Sequence, residues 1–528
     1  AAAAAQFKYS QLGFYVQDEW SIANNFRLTY GLRFDMPYFE NGTVNEDFNT
    51  RTVALLEAAG KDLEGARVGK KINTNVHFSP RVGFNWDVFS DKTTQVRGGT
   101  GIFTSRIPLV WPGGAYNNNG VALGSVDERD IPGGAGAARF VADPFNQPIG
   151  NGAQPGTADF GGQIDLFSPD FKLPQVLKTN IGIDQRLGVW GLIASVDFLY
   201  NETINNVLYQ NLNIGGPVGT LNGADNRPFY SRDAIDPTYE RIILGTNTSE
   251  GYSYNGTFTL TKPYDNGFSG QISYTYGNGR SIFEGTSSQN SSQWRGIQTV
   301  NGKNGPLQTQ PSEFATGHRA TANVSYEYAW NENIKTTIGL FVNGQQGGTI
   351  SYLYNNRNRN LLNDDSTDNA LIYIPRNQSE ITLVPLTTGG VTFTPAEQWE
   401  ALDAFISSRS YLNERRGKYA EANGDRGPWN TNVDLKLLQD FSLDFGGAKK
   451  HTFQVSVDMF NFLNFLNKDW GEQVRIGGTA TPLTTVSGGP NPTFTYDPNF
   501  ATNFEFIDDA GVQSSRWQAQ IGLRYIFN

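Results

Sequence analysis

The sequence predicts an all-β protein, a transmembrane antiparallel β-barrel with roughly thirteen strands in this chain. Three observations support this fold class. Apolar and polar residues alternate with a period of two over segments of about ten residues, the length of a tilted membrane-spanning strand. Very short links alternate with links of tens of residues. No run approaches the roughly 18 consecutive apolar residues of a membrane helix, and strands in lipid must close into a barrel.

The composition agrees with this class and excludes others. Of the 528 residues, 17% are charged and 38% hydrophobic, with 35 Phe, 23 Tyr and 59 Gly. Aromatic residues suit strands and membrane interfaces, whereas Gly suits turns. The absence of Cys excludes a disulfide framework and a thiolate metal site. A net charge of -10 argues against a nucleic-acid partner, which would require a basic surface.

Each predicted strand shows the alternation. In the segment FRLTYGLRFD, Phe26, Leu28 and Tyr30 share one face, while Arg27 and Thr29 share the other. The thirteen segments begin near Tyr9, Phe26, His77, Thr94, Pro174, Leu192, Gly251, Phe268, Thr316, Ile334, Thr431, His451 and Arg516. A soluble β-sandwich also alternates, but its strands usually run about five or six residues.

The links between segments predict which end of the barrel faces the cell. Short links are residues 21–25, 90–93, 188–191, 262–267, 329–333 and 446–450, and long ones include 37–75, 105–170 and 355–428. Outer-membrane barrels have short periplasmic turns and long extracellular loops. We therefore expect a girdle at the periplasmic interface from the tryptophans beside short turns, which are Trp20, Trp86, Trp190 and Trp330.

The last segment is rich in aromatic residues and resembles the signal that bacterial barrel-assembly machinery reads. Tyr525 and Phe527 are the predicted assembly signal. Asn528 follows Phe527, a departure from barrels whose last residue is Phe. On this segment the odd-numbered residues are expected to face lipid and the even-numbered ones the lumen.

Several longer stretches resemble TonB-dependent receptors: residues 79–103 (SPRVGFNWDVFSDKTTQVRGGTGIF), 252–281 (YSYNGTFTLTKPYDNGFSGQISYTYGNGRS) and 318–328 (HRATANVSYEY). Residues 363–375 (NDDSTDNALIYIP), 411–441 and 460–471 (FNFLNFLNKDWG) are similar to the Oar-like branch common in Bacteroidota. Members of that branch often carry a carboxypeptidase-regulatory-like domain ahead of the plug. The resemblance covers nearly all of the chain from Gln11 onward.

The resemblance implies a barrel of 22 strands in the outer membrane of a Gram-negative bacterium, a plug inside it, and energy supplied through the TonB system. The implied partners are outer-membrane lipid, TonB through the plug, the barrel-assembly machinery, and a surface lipoprotein or second polypeptide. Residues 1–5, all Ala, are expected to be a placeholder or unassigned segment. Residues 6–528 would be the C-terminal part of the barrel, with plug and N-terminal strands outside this chain. The first and last segments both run toward the short-turn side, as strands 10 and 22 of such a barrel would.

Catalytic sites are not predicted. The three histidines cannot converge, because His77 and His318 begin segments entered from long loops, whereas His451 begins one entered from a short turn. The motifs HExxH, GxSxG and GxxxxGK[ST] do not occur. We therefore expect a protein that is not an enzyme.

Two sets of loop residues are candidates for binding. The aromatic residues Trp111, Trp294, Tyr352, Tyr354 and Trp399 are expected either to stack on a ligand or to pack the loops against each other. The acidic loop NDDSTDN offers Asp364, Asp365 and Asp368 as oxygen ligands for Ca²⁺, although the spacing differs from an EF-hand. The alternative is a solvated acidic loop.

Function is predicted mainly from the resemblance, which implies energy-coupled passage of a large substrate such as a peptide, glycan, chelate or protein. A second hypothesis is a surface scaffold or adhesion platform that does not transport, for which the barrel is an anchor. A passive porin is a weaker third hypothesis, because porins are usually complete in shorter chains with fewer strands.

Overall fold

Thirteen long strands form one antiparallel wall in the computed structural model, which describes residues 6–122, 142, 162–231, 233–355, 361–364, 369–444, 450–508 and 515–527. Each strand pairs with the next one along the chain. They are β1 (Tyr9–Ala23), β2 (Phe26–Phe39), β3 (His77–Asp87), β4 (Thr94–Thr104), β5 (Gln175–Arg186), β6 (Ile193–Asn211), β7 (Gly251–Asp265), β8 (Phe268–Ser281), β9 (Gly317–Ala329), β10 (Ile334–Gln345), β11 (Asn430–Asp444), β12 (Lys450–Phe460) and β13 (Gln518–Phe527).

The count of strands in the wall confirms the prediction from the alternating segments. Their first residues fall within two positions of the predicted ones, and the largest difference is at β13, which begins at Gln518 rather than near Arg516. Short and long connections alternate as expected. The two-residue turn between β7 and β8 has Asn266 at φ 52° and Gly267 at φ 81°, the pattern of a type I′ hairpin.

The register divides the wall into one apolar face and one polar face. Leu523 of β13 lies opposite Val455 of β12, and Gln520 lies opposite Asp458. Because side chains alternate along a strand, this pairing keeps odd residues of β13 on the apolar face and even ones on the polar face. The expected parity of the last strand therefore agrees with the observed register.

The polar face carries ion pairs between neighbouring strands. The Arg97 guanidinium of β4 lies 2.6 Å from Asp197 of β6 and 3.3 Å from Asp184 of β5. Gly182 of β5 leaves room for this cluster, because a Cβ there would lie 2.0 Å from Arg97 Nη1 and 2.6 Å from Asp197 Oδ1. Another pair joins Lys436 to Asp458 at 2.6 Å. The strands therefore cross-link the side of the wall predicted to face the lumen.

The four tryptophans expected in one girdle all lie at the short-turn end of the wall. Trp20 is close to the end of β1, and Trp86 is next to the last residue of β3. Trp190 and Trp330 lie in the turns after β5 and β9. All four side chains are exposed, which suits an interfacial position.

The long connections all lie at the opposite end and contain the helices. These are α1 (Val53–Ala58), which continues the helical turn Phe48–Thr52, α2 (Val110–Asn117), α3 (Asn290–Arg295), α4 (Pro395–Ser408), α5 (Ser410–Glu414) and α6 (Phe462–Leu466). A capping box of Thr394 and Glu397 begins α4. Across the part of the chain that is described, no helix is both long enough and apolar enough to cross a membrane.

Short strands complete the loops. Gln163–Phe167 pairs in parallel with Arg241–Thr248, which extends the wall by pairing with the end of β6, and Gln310–Pro311 pairs with β8. The other short strands are Pro217–Thr220, Pro228–Tyr230, Thr349–Asn355, Tyr373–Ile374, Leu386–Thr388, Val391–Phe393, Lys418–Tyr419, Asp425–Arg426, Val474–Arg475, Thr479–Ser487, Thr493–Tyr496 and Phe506–Ile507, with 3₁₀ turns at Gln378–Glu380 and Ala501–Asn503.

The hydrogen-bonded wall is an open path within the described residues. Its ends are β1, which pairs with β2, and β13, which pairs with β12. Since neighbouring strands are antiparallel and the path has thirteen members, β1 and β13 run in the same direction. This agrees with the direction predicted for the first and last segments.

Candidate ligand-binding site in the long loops

The long loops are folded into three packed hydrophobic cores. The largest, here the large loop core, includes Tyr352, Tyr354, Leu371, Phe405 and Tyr496. A second core surrounds Trp111, Phe167, Tyr209 and Trp294, and a third surrounds Phe48, Leu166 and Ile242. The loop end of the molecule therefore has fixed surfaces on which a binding site can be built.

The five candidate aromatic residues lie in or against these cores. Trp294 and Tyr352 are fully buried, Tyr354 and Trp111 are nearly so, and Trp399 is half-buried against the large loop core. Tyr352 stacks on Tyr411 at 6.1 Å, and the ring of Trp111 meets that of Tyr209 edge-on at 6.4 Å. Of the two expected roles, the geometry supports packing of the loops.

The acidic loop is described only in part, because Asp365 and Asp368 lie outside the described residues. Asp364 is buried, and its carboxylate accepts hydrogen bonds from the Lys303 backbone N–H at 2.8 Å and from Nζ at 2.9 Å. Lys303 Nζ also lies 5.7 Å from the ring of Trp294. Asp364 thus joins two loops through an ion pair, and Ca²⁺ binding by the acidic loop stays a prediction.

The histidines are separated as predicted from the connections. His77 is buried at the start of β3, where Nε2 accepts the Leu173 N–H at 2.9 Å. His318 of β9 hydrogen-bonds to Tyr274, whereas His451, at the short-turn end, stacks on Tyr525 and Phe527. Over the ranges that the structure describes, no group of three His, Cys, Asp or Glu side chains could hold a metal ion.

A cavity of about 590 Å³ opens between α2, the start of α3 and the strand Gln163–Phe167. Its walls are mostly neutral and polar, with amides from Asn118, Gln163 and Asn290. Two acidic residues, Asp165 and Glu240, also line it, and none of its described lining residues is Lys, Arg or His. Glu240 forms an ion pair with the neighbouring Arg241.

Asp165 is the centre of the polar wall. The side chain is 2% exposed, and its carboxylate accepts hydrogen bonds from Asn118 Nδ2 at 2.8 Å and Gln163 Nε2 at 2.6 Å. Among the described residues no cation neutralises it, and all of its donors are neutral amides. Burial raises the pKa of the Asp165 carboxyl to about 6, and the amide hydrogen bonds oppose this shift.

Asn290 and Gly114 complete this wall. The Asn290 side-chain amide hydrogen-bonds to Asp165 and donates from Nδ2 to the Trp111 carbonyl at 2.9 Å, whereas its buried Oδ1 accepts no hydrogen bond from a described residue. A Cβ on Gly114 would lie 2.4 Å from Asp165 Oδ2 and 2.8 Å from Asn290 Nδ2. Only Gly therefore allows α2 to approach these two side chains so closely.

The sequence did not indicate these residues as a site. Asp165 stands within the apolar run QIDLF, and a charge in such a run is the one local signal that could have indicated a buried acid. Asn118 and Asn290 carry no such signal, because Asn is common in loops. They meet Asp165 only because separate loops fold together.

The chain was compared with known families and structures. Residues 1–480 match the model of an outer membrane beta barrel domain. A search of curated proteins finds no match. Similar solved structures include the outer membrane transporter YddB of Escherichia coli, with 11% identity and a TM-score of 0.42 over 98% of this chain and 54% of that one.

Two receptor structures are also similar. A mutant of the ferric enterobactin receptor PfeA of Pseudomonas aeruginosa has 10% identity and a TM-score of 0.38, over 98% of this chain and 44% of that one. The siderophore receptor PirA of Acinetobacter baumannii has 9% identity and a TM-score of 0.37, over 86% and 42%. The chain thus spans about half the length of these structures or less.

Proposed function

Because this chain belongs to the outer membrane beta barrel domain family, we propose that it is the wall and loop region of an energy-coupled outer-membrane transporter that resembles TonB-dependent receptors. The protein lies in the outer membrane, with its apolar face toward lipid. The proposal adds that it moves a substrate too large for porins, that it is not an enzyme, and that it belongs to the Oar-like branch.

The observation that carries the proposal is the cavity in the packed loops. These loops connect strands that have one apolar and one polar face. A receptor must hold its substrate outside before transport, and preformed cavities in fixed loops serve this purpose. The polar face, with its Arg97 and Lys436 ion pairs, suits an aqueous lumen that contains a plug. We propose that plug and further strands complete this lumen.

The test is energy dependence of uptake. A strain lacking the gene and a complemented strain would be grown on peptides, glycans and metal chelates as sole sources, and accumulation of labelled substrate would be measured with and without a protonophore. Uptake that requires both the gene and the proton gradient supports the proposal. Uptake that persists without the gradient would indicate a porin. Cell-surface binding of a macromolecule, with no gene-dependent uptake of any of these substrates, would support the scaffold hypothesis.

A further inference from the structure

We propose that the cavity beside Asp165 binds the primary ammonium group of a ligand. The inference deepens the proposed transport function, on which it rests for the fate of the ligand, by naming the chemistry that the loop site recognises. It is carried by two residues that line the cavity: Asp165, whose carboxylate no described cation neutralises, and Asn290, whose buried Oδ1 accepts no hydrogen bond from a described residue.

The cavity has a buried negative charge. Burying a carboxylate without a cation costs several kcal/mol, so such groups are usually paired or bind a ligand. Glu240 forms an ion pair with Arg241, and this leaves Asp165 as the uncompensated charge among the described lining residues. A cationic ligand would supply the missing charge.

The hydrogen-bond acceptors of Asp165 and Asn290 match the donors of an ammonium group. The side-chain amides of Asn118, Gln163 and Asn290 hydrogen-bond to the Asp165 carboxylate, Asn118 to Oδ2 and Gln163 to Oδ1. A carboxylate has about four acceptor positions, so one is left for a ligand. Asn290 Oδ1, which no described donor reaches, is a second acceptor that a small shift of the side chain would present to the ligand. An ammonium group has three donors and no acceptor, so it matches these acceptors, while the amide donors of the wall already bond to Asp165.

The volume of the cavity suits an organic ligand better than a metal ion. A volume of about 590 Å³ is far larger than an ion needs and falls in the range of small-molecule sites. Apolar side chains of Phe7, Leu109 and Val110 lie elsewhere on the lining and would contact the carbon skeleton of the ligand. A metal ion would leave most of this volume empty. Ca²⁺ prefers several charged oxygen ligands, whereas the described lining has one carboxylate without a cationic partner, that of Asp165.

The experiment is a binding measurement on the purified full chain in detergent, by isothermal titration calorimetry. Three amines represent three sources of the group: trialanine amide for a peptide N-terminus, Nα-acetyl-lysine amide for a lysine side chain, and glucosamine for an amino sugar. Each is compared with the same molecule acetylated on its amine. We expect at least one amine to bind and its acetylated form to bind at least tenfold more weakly; the amine that binds identifies the source.

Asp165→Asn should weaken that amine at least tenfold, because it removes the charge and keeps the shape. Asp170→Asn is the matched control, since it removes a charge from an exposed position of the same loop and should change affinity less than twofold. If Asp165→Asn fails to assemble, the acetylation comparison on the unmodified chain still decides.

The proposal is overturned if no amine binds, if acetylation makes no difference, if assembled Asp165→Asn binds as tightly as the unmodified chain, or if Ca²⁺ binds and competes with the amine. Failure of transport gives a different pattern. Amine binding without gene-dependent uptake would refute only the transport function, whereas uptake without amine binding would refute only this inference.

Discussion

At the scale of single residues, the loops bury charge in two different ways. Lys303 and Asp364 neutralise each other, with side chains 1% and 3% exposed. Asp165 is equally buried but is held by neutral amides alone among the described residues. Removing one partner of a buried pair leaves the other charge uncompensated, whereas an unpaired acid adjusts by a change of pKa. The two sites therefore respond differently to mutation and pH.

The first prediction concerns the buried ion pair. Asp364→Ala should destabilise the loops by about 3–5 kcal/mol, because Lys303 would remain buried without this partner. The exposed pair of Arg67 and Glu57 is the control, and Glu57→Ala should cost less than about 1 kcal/mol. Hydrogen exchange measures both, through amides of the large loop core for Asp364→Ala and amides of α1 for Glu57→Ala. Equal protection in the two variants would contradict the prediction.

The second prediction concerns pH. The folded pKa of Asp165, about 6, is above its usual value of 3.8, so the folded loops bind a proton more tightly than the unfolded ones. This contribution to stability is complete below pH 3.8 and is lost as pH rises through about 6. The difference of about two units between the folded and the usual pKa corresponds to about 3 kcal/mol of unfolding free energy.

The free energy of unfolding of the loops in the unmodified protein, measured relative to the Asp165→Asn variant, should therefore fall as the pH rises from 4 to 7. Comparison with the variant removes the contribution of other acids, such as Asp236, whose pKa is lowered by hydrogen bonds from Thr52 and Thr238 despite its burial. Hydrogen exchange in the strand Gln163–Phe167 is the measurement. A difference between the two proteins that stays constant over this range would show that Asp165 keeps an ordinary pKa.

At the scale of elements, each strand of the wall combines an apolar and a polar face. In β13, Leu523 is 83% exposed on the apolar face, and Gln520 faces Asp458 on the other. The lipid replaces the water that would otherwise surround Leu523. Strands therefore tolerate charge on one face and not on the other.

The third prediction follows from this asymmetry. Leu523→Arg should cost about 2–4 kcal/mol, because the charge enters hydrocarbon, and the protein should fail to assemble. Gln520→Arg should assemble normally, since the new guanidinium would lie opposite Asp458. Heat-modifiable migration of outer-membrane fractions on gels reports the folded barrel. Normal assembly of Leu523→Arg would place that residue on the lumenal side.

The fourth prediction tests the packing of the polar face. Gly182→Ala should destabilise the wall by about 1–3 kcal/mol, because the new Cβ overlaps the Arg97 and Asp197 ion pair. Gly256 of β7 provides a matched control in a strand interior, since a Cβ there meets nothing within 4 Å. Urea unfolding in lipid vesicles compares the two. Equal urea midpoints for Gly182→Ala and Gly256→Ala would contradict the prediction.

At the scale of the whole molecule, the described strands of the wall form a single ladder with two ends, and the long loops lie at one end of the strands. The chain contains no Cys, so pairs of introduced cysteines report strand neighbours without interference. Opposed residues on adjacent strands bring their Cβ atoms to about 4.5–5.5 Å, close enough for a disulfide.

The fifth prediction uses such pairs. Ser456→Cys with Gly522→Cys should form a disulfide, because these positions are opposed on β12 and β13. Gln17→Cys of β1 should not cross-link to cysteines introduced at Gln520, Gly522 or Arg524 of β13, because the described ladder joins these strands only through the other eleven. Gel mobility after oxidation distinguishes the products. A β1 to β13 cross-link would show that the wall closes on itself.

The sequence by itself determined the wall: its thirteen strands, their two faces and the side on which the long loops lie. It could do so because strand periodicity is local, and a period of two assigns every residue to a face once one is known. Only the tertiary structure decided the site. Asp165, Asn118 and Asn290 come from different loop segments, and Lys303 meets Asp364 across 61 positions. Such contacts depend on how whole loops pack, which no local pattern records.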